Sequence, residues 1–404
     1  MRLATTATVV LLAGFMHAQA GESLSPEVLL AGHEKADAYA PCAAFGGGVY
    51  LVAWQAGRDE DTDIVAARVD ASGKVLDAKP IVLCAAKDDQ SLPRVAFGGG
   101  KFLVVWQDLR GGKDYDLYAA RVSPEGKILD PDGVAVSAEK GNQCQPAICF
   151  DGSAFQILWR DFRNGGDYDI FGGRVSPAGK LLDGTGVLVQ KRVMGTFTCF
   201  AGPPGVGSNA SGQVLGAAYL GWSKYGKQGV WPMRGGKRTG KHKLLEGRKV
   251  SSHDSAFASD GKNLLMVFTC FRPKSRGGST KNSGAWLYGA DGAPLGGMIA
   301  VSSTGSPVRN PSPAWDGKSY VVAWDMPQGD SRRGYIYDTV LLRRVSKDGK
   351  GQGADTLVAG EKGSPAYRPA AASDGKGTTL VAYERHPKTA DVPIKIAFRM
   401  LKGK

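Results

Sequence analysis

Short runs of alternating apolar and polar residues, each bounded by glycine-rich turns, recur along this chain and read as β-strands rather than helices. They come in sets of four. The run PCAAFGGG, VYLVAWQAGR, DTDIVAARVDASGK, VLDAKPIVLC occupies 41–84, and a near copy, LPRVAFGGG, KFLVVWQDLR, DYDLYAARVSPEGK, ILDPDGVAVS, ends at Ser137. A third, QPAICFDGS, AFQILWRDFR, DYDIFGGRVSPAGK, LLDGTGVLV, spans 145–189. A ruler set five residues before each first turn falls at Pro41, Pro93, Pro146, Thr196, Ser255, Pro311 and Pro369. Units of about fifty residues with four strands each predict an all-β, seven-bladed β-propeller. A six-bladed ring is the alternative if the irregular fourth unit is an insertion. That unit is expected to place strands at Phe197–Phe200, Val214–Trp222, Gly229–Arg234 and Leu244–Val250.

Each second strand ends in an aromatic, Trp54, Trp106, Trp159, Trp222, Phe268, Trp324 or Tyr383, as expected for a side chain that packs one blade on the next. The seventh unit runs through RPAAASDG, TTLVAYER and IKIAFRML and then lacks a fourth strand. Ser23–Ala31 (SLSPEVLLA) is a spare strand, and pairing it with the last blade closes the ring and removes two open sheet edges. Residues 1–20 read as a signal peptide, with Arg2, an apolar run from Ala7 to Phe15 and Ala18-Gln19-Ala20 for cleavage. The expectation is a secreted or periplasmic protein with a single propeller domain over 21–404 and no membrane span. Export permits disulfides among Cys42, Cys84, Cys144, Cys149, Cys199 and Cys270. Spacing does not rank the pairings, although Cys149 and Cys199 fall at matching repeat positions and could meet across two blades.

The phrase formed by Asp151-Gly152, then Asp161 with Arg163, then Asp169-Ile170-Phe171 resembles the repeats of Tol-type (TolB-like) periplasmic propellers. Asp108, Arg110 and Asp116-Leu117-Tyr118 repeat it. The units here are longer and lack the Ser-Pro of that family's first turn. The resemblance implies a bacterial exported propeller and no particular activity.

Candidate chemistry is sparse. The triplets Trp106-Asp108-Arg110 and Trp159-Asp161-Arg163 put a carboxylate and a guanidinium on one strand face, for a ligand at the rim or for pairing with Asp114, Asp116, Asp167 and Asp169 of neighbouring loops. Arg68, Arg121 and Arg174 recur in the same structural sense. Asp59, Asp61 and Asp63 alternate as calcium ligands can, without the glycine and distant glutamate of an EF-hand. The four histidines beyond residue 20 (His33, His242, His253, His386) show no metal-ligand spacing, and no nucleophile elbow or phosphate loop appears, so no cofactor or metal is expected.

Charge changes the picture most. The formal net charge is +13. Between Trp222 and Ser283 fourteen Lys and Arg face only Glu246, Asp254 and Asp260. Trp222, Lys224, Lys227, Lys237, Arg238, Lys241, Arg272, Lys274, Arg276 and Lys281 are thus the candidate ligand-binding residues, in loops of the fourth and fifth blades. The function expected is a non-catalytic binding or scaffold module for an anionic polysaccharide, acidic envelope surface or acidic protein. Few aromatics interleave the basic run, which argues against nucleic acid. The alternative is an enzyme on extracellular glycans, a glycoside hydrolase or polysaccharide lyase, using carboxylates such as Asp108, Asp161, Asp325 or Glu384.

Overall fold

The computed structural model describes residues 22–403 apart from 31–35, 59–60, 192–204, 221–226, 242, 245–250, 274–278, 281–283, 290, 305–307, 331–334 and 390. Seven antiparallel sheets follow one another along the chain. Blade 1 (37–84) runs from the innermost strand Asp37–Gly46 through Val49–Arg58 and Asp61–Asp70 to Ile81–Cys84. Blades 2 (90–137) and 3 (143–190) repeat it closely, and blades 4 (205–244), 5 (251–300), 6 (309–359) and 7 follow. Each innermost strand packs beside that of the next blade, and Ala366–Ser373 of blade 7 packs beside Asp37–Gly46 of blade 1. The result is the expected seven-bladed propeller.

The ring closes as the spare strand predicts. Ser23 and Leu24 pair with Lys402 and Leu401, and Val28 and Leu29 pair with Phe398 and Ala397. Between and beyond them the Ser25 N–H donates to the Met400 carbonyl and the Leu30 N–H to that of Ile396, at 2.9 Å each. Two acids secure the segment: Glu22 pairs with Arg344, which also holds Asp316, and Glu27 lies 3.2 Å from Arg385. The edge of blade 7 is therefore covered by the chain's own N-terminal side.

Among the described residues the core consists of seven apolar clusters, each straddling two neighbouring blades. Each contains a large aromatic at the interface: Trp54 between blades 7 and 1, then Trp106, Trp159, Trp231, Phe268, Trp324 and Tyr383 around the ring, with further buried rings such as Tyr50, Phe102, Phe155 and Tyr320 beside several of them. Six are those expected. The exception is in blade 4, where the second strand Val214–Leu220 stops short of Trp222, which lies outside the described residues. There Trp231 reaches the blade 3 interface from the third strand, lying over Gly216, whose missing side chain leaves the room.

The rest of blade 4 also departs from expectation. Its innermost strand is Gly205–Ser208, whereas 197–200 lies outside the described residues. The hairpin turn is 209–213, in which the Asn209 side chain accepts the N–H groups of Ser211 and Gln213. Asp151 caps the turn of blade 3 in the same way, accepting from Ser153 and Ala154. The glycine-containing turn expected at Ala201-Gly202 precedes this asparagine turn, so the innermost strand comes later than the ruler predicts. The third strand is Lys227–Arg234, and the outer edge is formed by Lys237–Arg238 and Lys243–Leu244, with 245–250 outside the description.

Cys42, Cys84, Cys144 and Cys149 are free thiols, and Cys149 packs on the core between blades 3 and 4; Cys199 lies outside the described residues.

Leu30 is 2% exposed in the cluster joining blades 1 and 7. Leu30→Ala is expected to cost about 2–5 kcal/mol, read as a lower midpoint in urea unfolding. A midpoint unchanged from wild type contradicts closure by this segment.

Candidate functional site

The innermost strands carry a repeated irregularity near one end. Ala40, Leu92, Gln145, Asn310 and Arg368 all adopt positive φ, between 45° and 54°. Each immediately precedes a ruler proline, and at each the ladder slips by a bulge. Left-handed backbone at a residue with a side chain is strained, and at Ala40, Leu92, Gln145 and Arg368 a bond from the preceding blade holds it. The second-strand residue that follows the core aromatic turns to the next blade and accepts the bulge N–H. Gln55 Oε1 accepts from Leu92 at 3.0 Å and Gln107 Oε1 from Gln145 at 3.1 Å.

Blades 6 and 7 keep this staple but change its chemistry. The glutamine position is Asp325 in blade 6, accepting from the Arg368 N–H at 3.1 Å. It is Glu384 in blade 7, accepting from the Ala40 N–H at 2.8 Å. Asp325 is 1% exposed and also takes Asn310 Nδ2 at 2.7 Å. Glu384 is 2% exposed and receives Arg368 Nη1 at 3.0 Å, with His386 Nε2 3.2 Å from its other oxygen. Arg309 Nη1 lies 3.6 Å from Asp338. Tyr367 packs edge-on against His386, ring centroids 4.5 Å apart. Tyr39, one residue before the blade 1 bulge, feels the charges of Asp37, Glu384 and Arg368. The carboxylates are interior while the guanidiniums face outward, with side chains 52% exposed for Arg368 and 36% for Arg309.

The two stapling carboxylates diverge. Burial pushes Asp325 up to about 7, with nearby Asp338 adding to the rise against the bonds from Asn310 and Arg368. Burial acts upward on Glu384 too, but the His386 hydrogen bond, the Arg368 charge and the Ala40 N–H outweigh it and hold Glu384 below the usual range. Burial and the surrounding carboxylates keep Tyr39 and Tyr367 neutral phenols well above neutrality.

The tryptophan triplets do not form a ligand site. Trp106 Nε1 donates to Asp108 at 2.8 Å, and Arg110 clasps the same carboxylate at 2.8 and 2.6 Å. Arg110 also reaches Cys84 of the preceding blade and stacks 3.9 Å over Tyr118. Trp159, Asp161 and Arg163 repeat the arrangement, reaching Ser137 and stacking over Phe171. The pairing is thus within each triplet, not to Asp114, Asp116, Asp167 or Asp169. With Asp108 0% and Asp161 1% exposed and both oxygens engaged, neither serves as a rim catalyst. Arg68, Arg121 and Arg174 clasp Asp77, Asp130 and Asp183 within their blades.

Of the basic residues expected to bind, Lys224, Lys274, Arg276 and Lys281 lie outside the described residues, as does Trp222. Lys227 and Arg272 lie in the strands Lys227–Arg234 and Leu264–Pro273. Lys237, Arg238 and Lys241 follow the outer hairpin of blade 4, with Lys237 and Lys241 exposed and Arg238 donating to Gln190 of blade 3. Among the described residues no cluster of three or more His, Cys, Asp and Glu could hold a metal ion.

No family model and no curated protein matches the chain. Among solved structures, a protein of unknown function from Dyadobacter fermentans is 11% identical, with 95% of this chain and 100% of that one covered and a TM-score of 0.57. Penicillium chrysogenum α-L-arabinanase is 13% identical over 76% of this chain and 92% of its own, TM-score 0.49. A thermostable family-43 glycoside hydrolase is 14% identical over 67% and 96%, TM-score 0.40. The first likeness shows the propeller fold, and the other two are too distant to bear on activity. None ties the repeats to Tol-type propellers.

The mouth over blades 6, 7 and 1 was legible only in part. Asp325 and Glu384 stand out as acids beside core aromatics, but Arg309, Arg368, Tyr39, Tyr367 and His386 carry no motif. The residue after each expected aromatic is Gln55, Gln107, Arg160, Ser223, Thr269, Asp325 and Glu384, so only the last two are acids.

Asp161→Ala strands the buried end of Arg163 and is expected to cost about 3 kcal/mol without altering ligand affinity. Chemical unfolding measures the first and a binding assay the second, and a lost affinity in a folded variant returns the triplet to the list of sites.

Proposed function

We propose that this propeller is a binding module that takes a polyhydroxylated ligand, an oligosaccharide, over blades 6, 7 and 1. One observation carries the reading: where blades 1 and 2 use a glutamine as the staple, blades 6 and 7 use the acids Asp325 and Glu384, beside the solvent-reaching side chains of Arg309 and Arg368. Staples alone need no such change, since Gln55 and Gln107 make the same bond. Guanidinium donors together with tyrosine rings supply the hydrogen bonds and flat apolar faces that sugars require. The basic sector of blades 4 and 5 supports a second contact, to an anionic glycan or acidic protein, as its charge of eleven positive within 222–283 implies.

Glycan-array screening followed by calorimetry tests the reading. Arg368→Ala with Tyr367→Ala is expected to weaken binding at least tenfold. Lys237→Glu with Lys241→Glu is expected to change mainly the salt dependence. Unchanged affinity in the first pair removes the mouth from consideration.

A further inference from the structure

We infer that the ligand of this mouth bears a carboxylate, as a uronic-acid oligosaccharide does, and that Arg368 and Arg309 recognise it; the inference rests on the binding site proposed above. Neither arginine is an ordinary surface cation. Arg368 is fixed from beneath by Glu384, 3.0 Å away and 3% exposed, and Arg309 by Asp338, 3.6 Å away and 10% exposed. The backbone N–H of Arg368 is bound in turn by Asp325. Arg309 stands opposite Asp325 in the blade 6 ladder and the Arg368 N–H donates to the same carboxylate, so the two arginines flank one buried acid.

A guanidinium carries five N–H donors in a planar fork that matches a carboxylate. Its buried partner removes rotamer freedom before the ligand arrives, so less ordering cost remains for binding. The matching acceptor is planar and singly charged. A dianion would face Glu384, Asp338 and the ionised share of Asp325 with only two arginines to balance them. The tyrosines stay neutral phenols at working pH, and the Tyr39 hydroxyl is already hydrogen-bonded to Asp37.

Asp325 adds a pH signature. It is faced by Arg309 and Asn310 on the innermost strand of blade 6, by Asp338 on its third strand, and by Tyr367 and Arg368 of blade 7. As pH rises through about 7 it gains negative charge beneath the arginines. An anionic ligand is therefore held more weakly at pH 8 than at pH 6, and Asp325→Asn removes that share of the dependence.

Calorimetry on the full chain with three probes of equal length decides the matter: an oligogalacturonide, its methyl ester and a neutral oligosaccharide. The acid is expected to bind at least tenfold more tightly than either neutral probe. Arg368→Lys, which keeps the charge but loses the fork at an exposed position, is expected to abolish most of that preference. Glu384→Gln is expected to weaken acid binding about fivefold, although it makes the site more positive; plain polyanion attraction predicts the opposite sign. Should Glu384→Gln unfold, Arg368→Lys still decides. Equal affinity for acid and ester overturns the carboxylate assignment and leaves the binding site standing, as does tighter binding of a sulfated oligosaccharide. No binding of any probe, acidic or neutral, removes the site itself.

Discussion

Everything at the mouth of this ring depends on apolar contact between one sheet and the next, carried around the full circle without a gap. Each of seven interfaces buries at least one large aromatic among aliphatic side chains, and those side chains are within 9% of complete burial. An open stack would leave the faces of blades 1 and 7 in water. The N-terminal segment completes blade 7, on one of the two sheets that meet there, so the first residues described and the last strand of the chain share one sheet. Closure fixes the relative positions of Ala40 and Glu384, 344 residues apart in sequence, and so completes the site.

The bulged innermost strands show how a structural device becomes a functional one. In blades 1 and 2 a glutamine satisfies the strained N–H of the next blade, and Gln107 also donates to Ser91. Replacing it by a carboxylate keeps the hydrogen bond and adds a buried negative charge, which needs a cationic partner. Arg368 supplies one for Glu384 and carries its own charge out to the surface. Asp325 has only hydrogen-bond donors and a more distant arginine, so burial wins and its proton stays on near neutrality. The same position in two neighbouring blades therefore holds one ionised and one largely protonated acid, for reasons visible in their partners.

Repeats with unbroken phrases were readable from residues alone. Blades 1 to 3 share aromatic, turn and arginine positions, and strand boundaries there follow from alternation. Blade 4 was not, because an asparagine turn replaced the aspartate-glycine and the core aromatic moved to Trp231 on a different strand. Nor does alternation distinguish a carboxylate aimed at solvent from one aimed at the adjoining blade. Asp108 and Asp161 look like rim acids in sequence and are sealed by their own tryptophan and arginine.

Local pattern thus determined the kind of sheet, the number of blades and the strand left over to close the ring, because period-two alternation and turn chemistry act over a few residues. The partners of each polar group were decided only when the circle formed. Burial, strain at the bulges and the charge around Asp325 and Glu384 all arise between blades, from groups whose separation along the chain carries no sign that they meet.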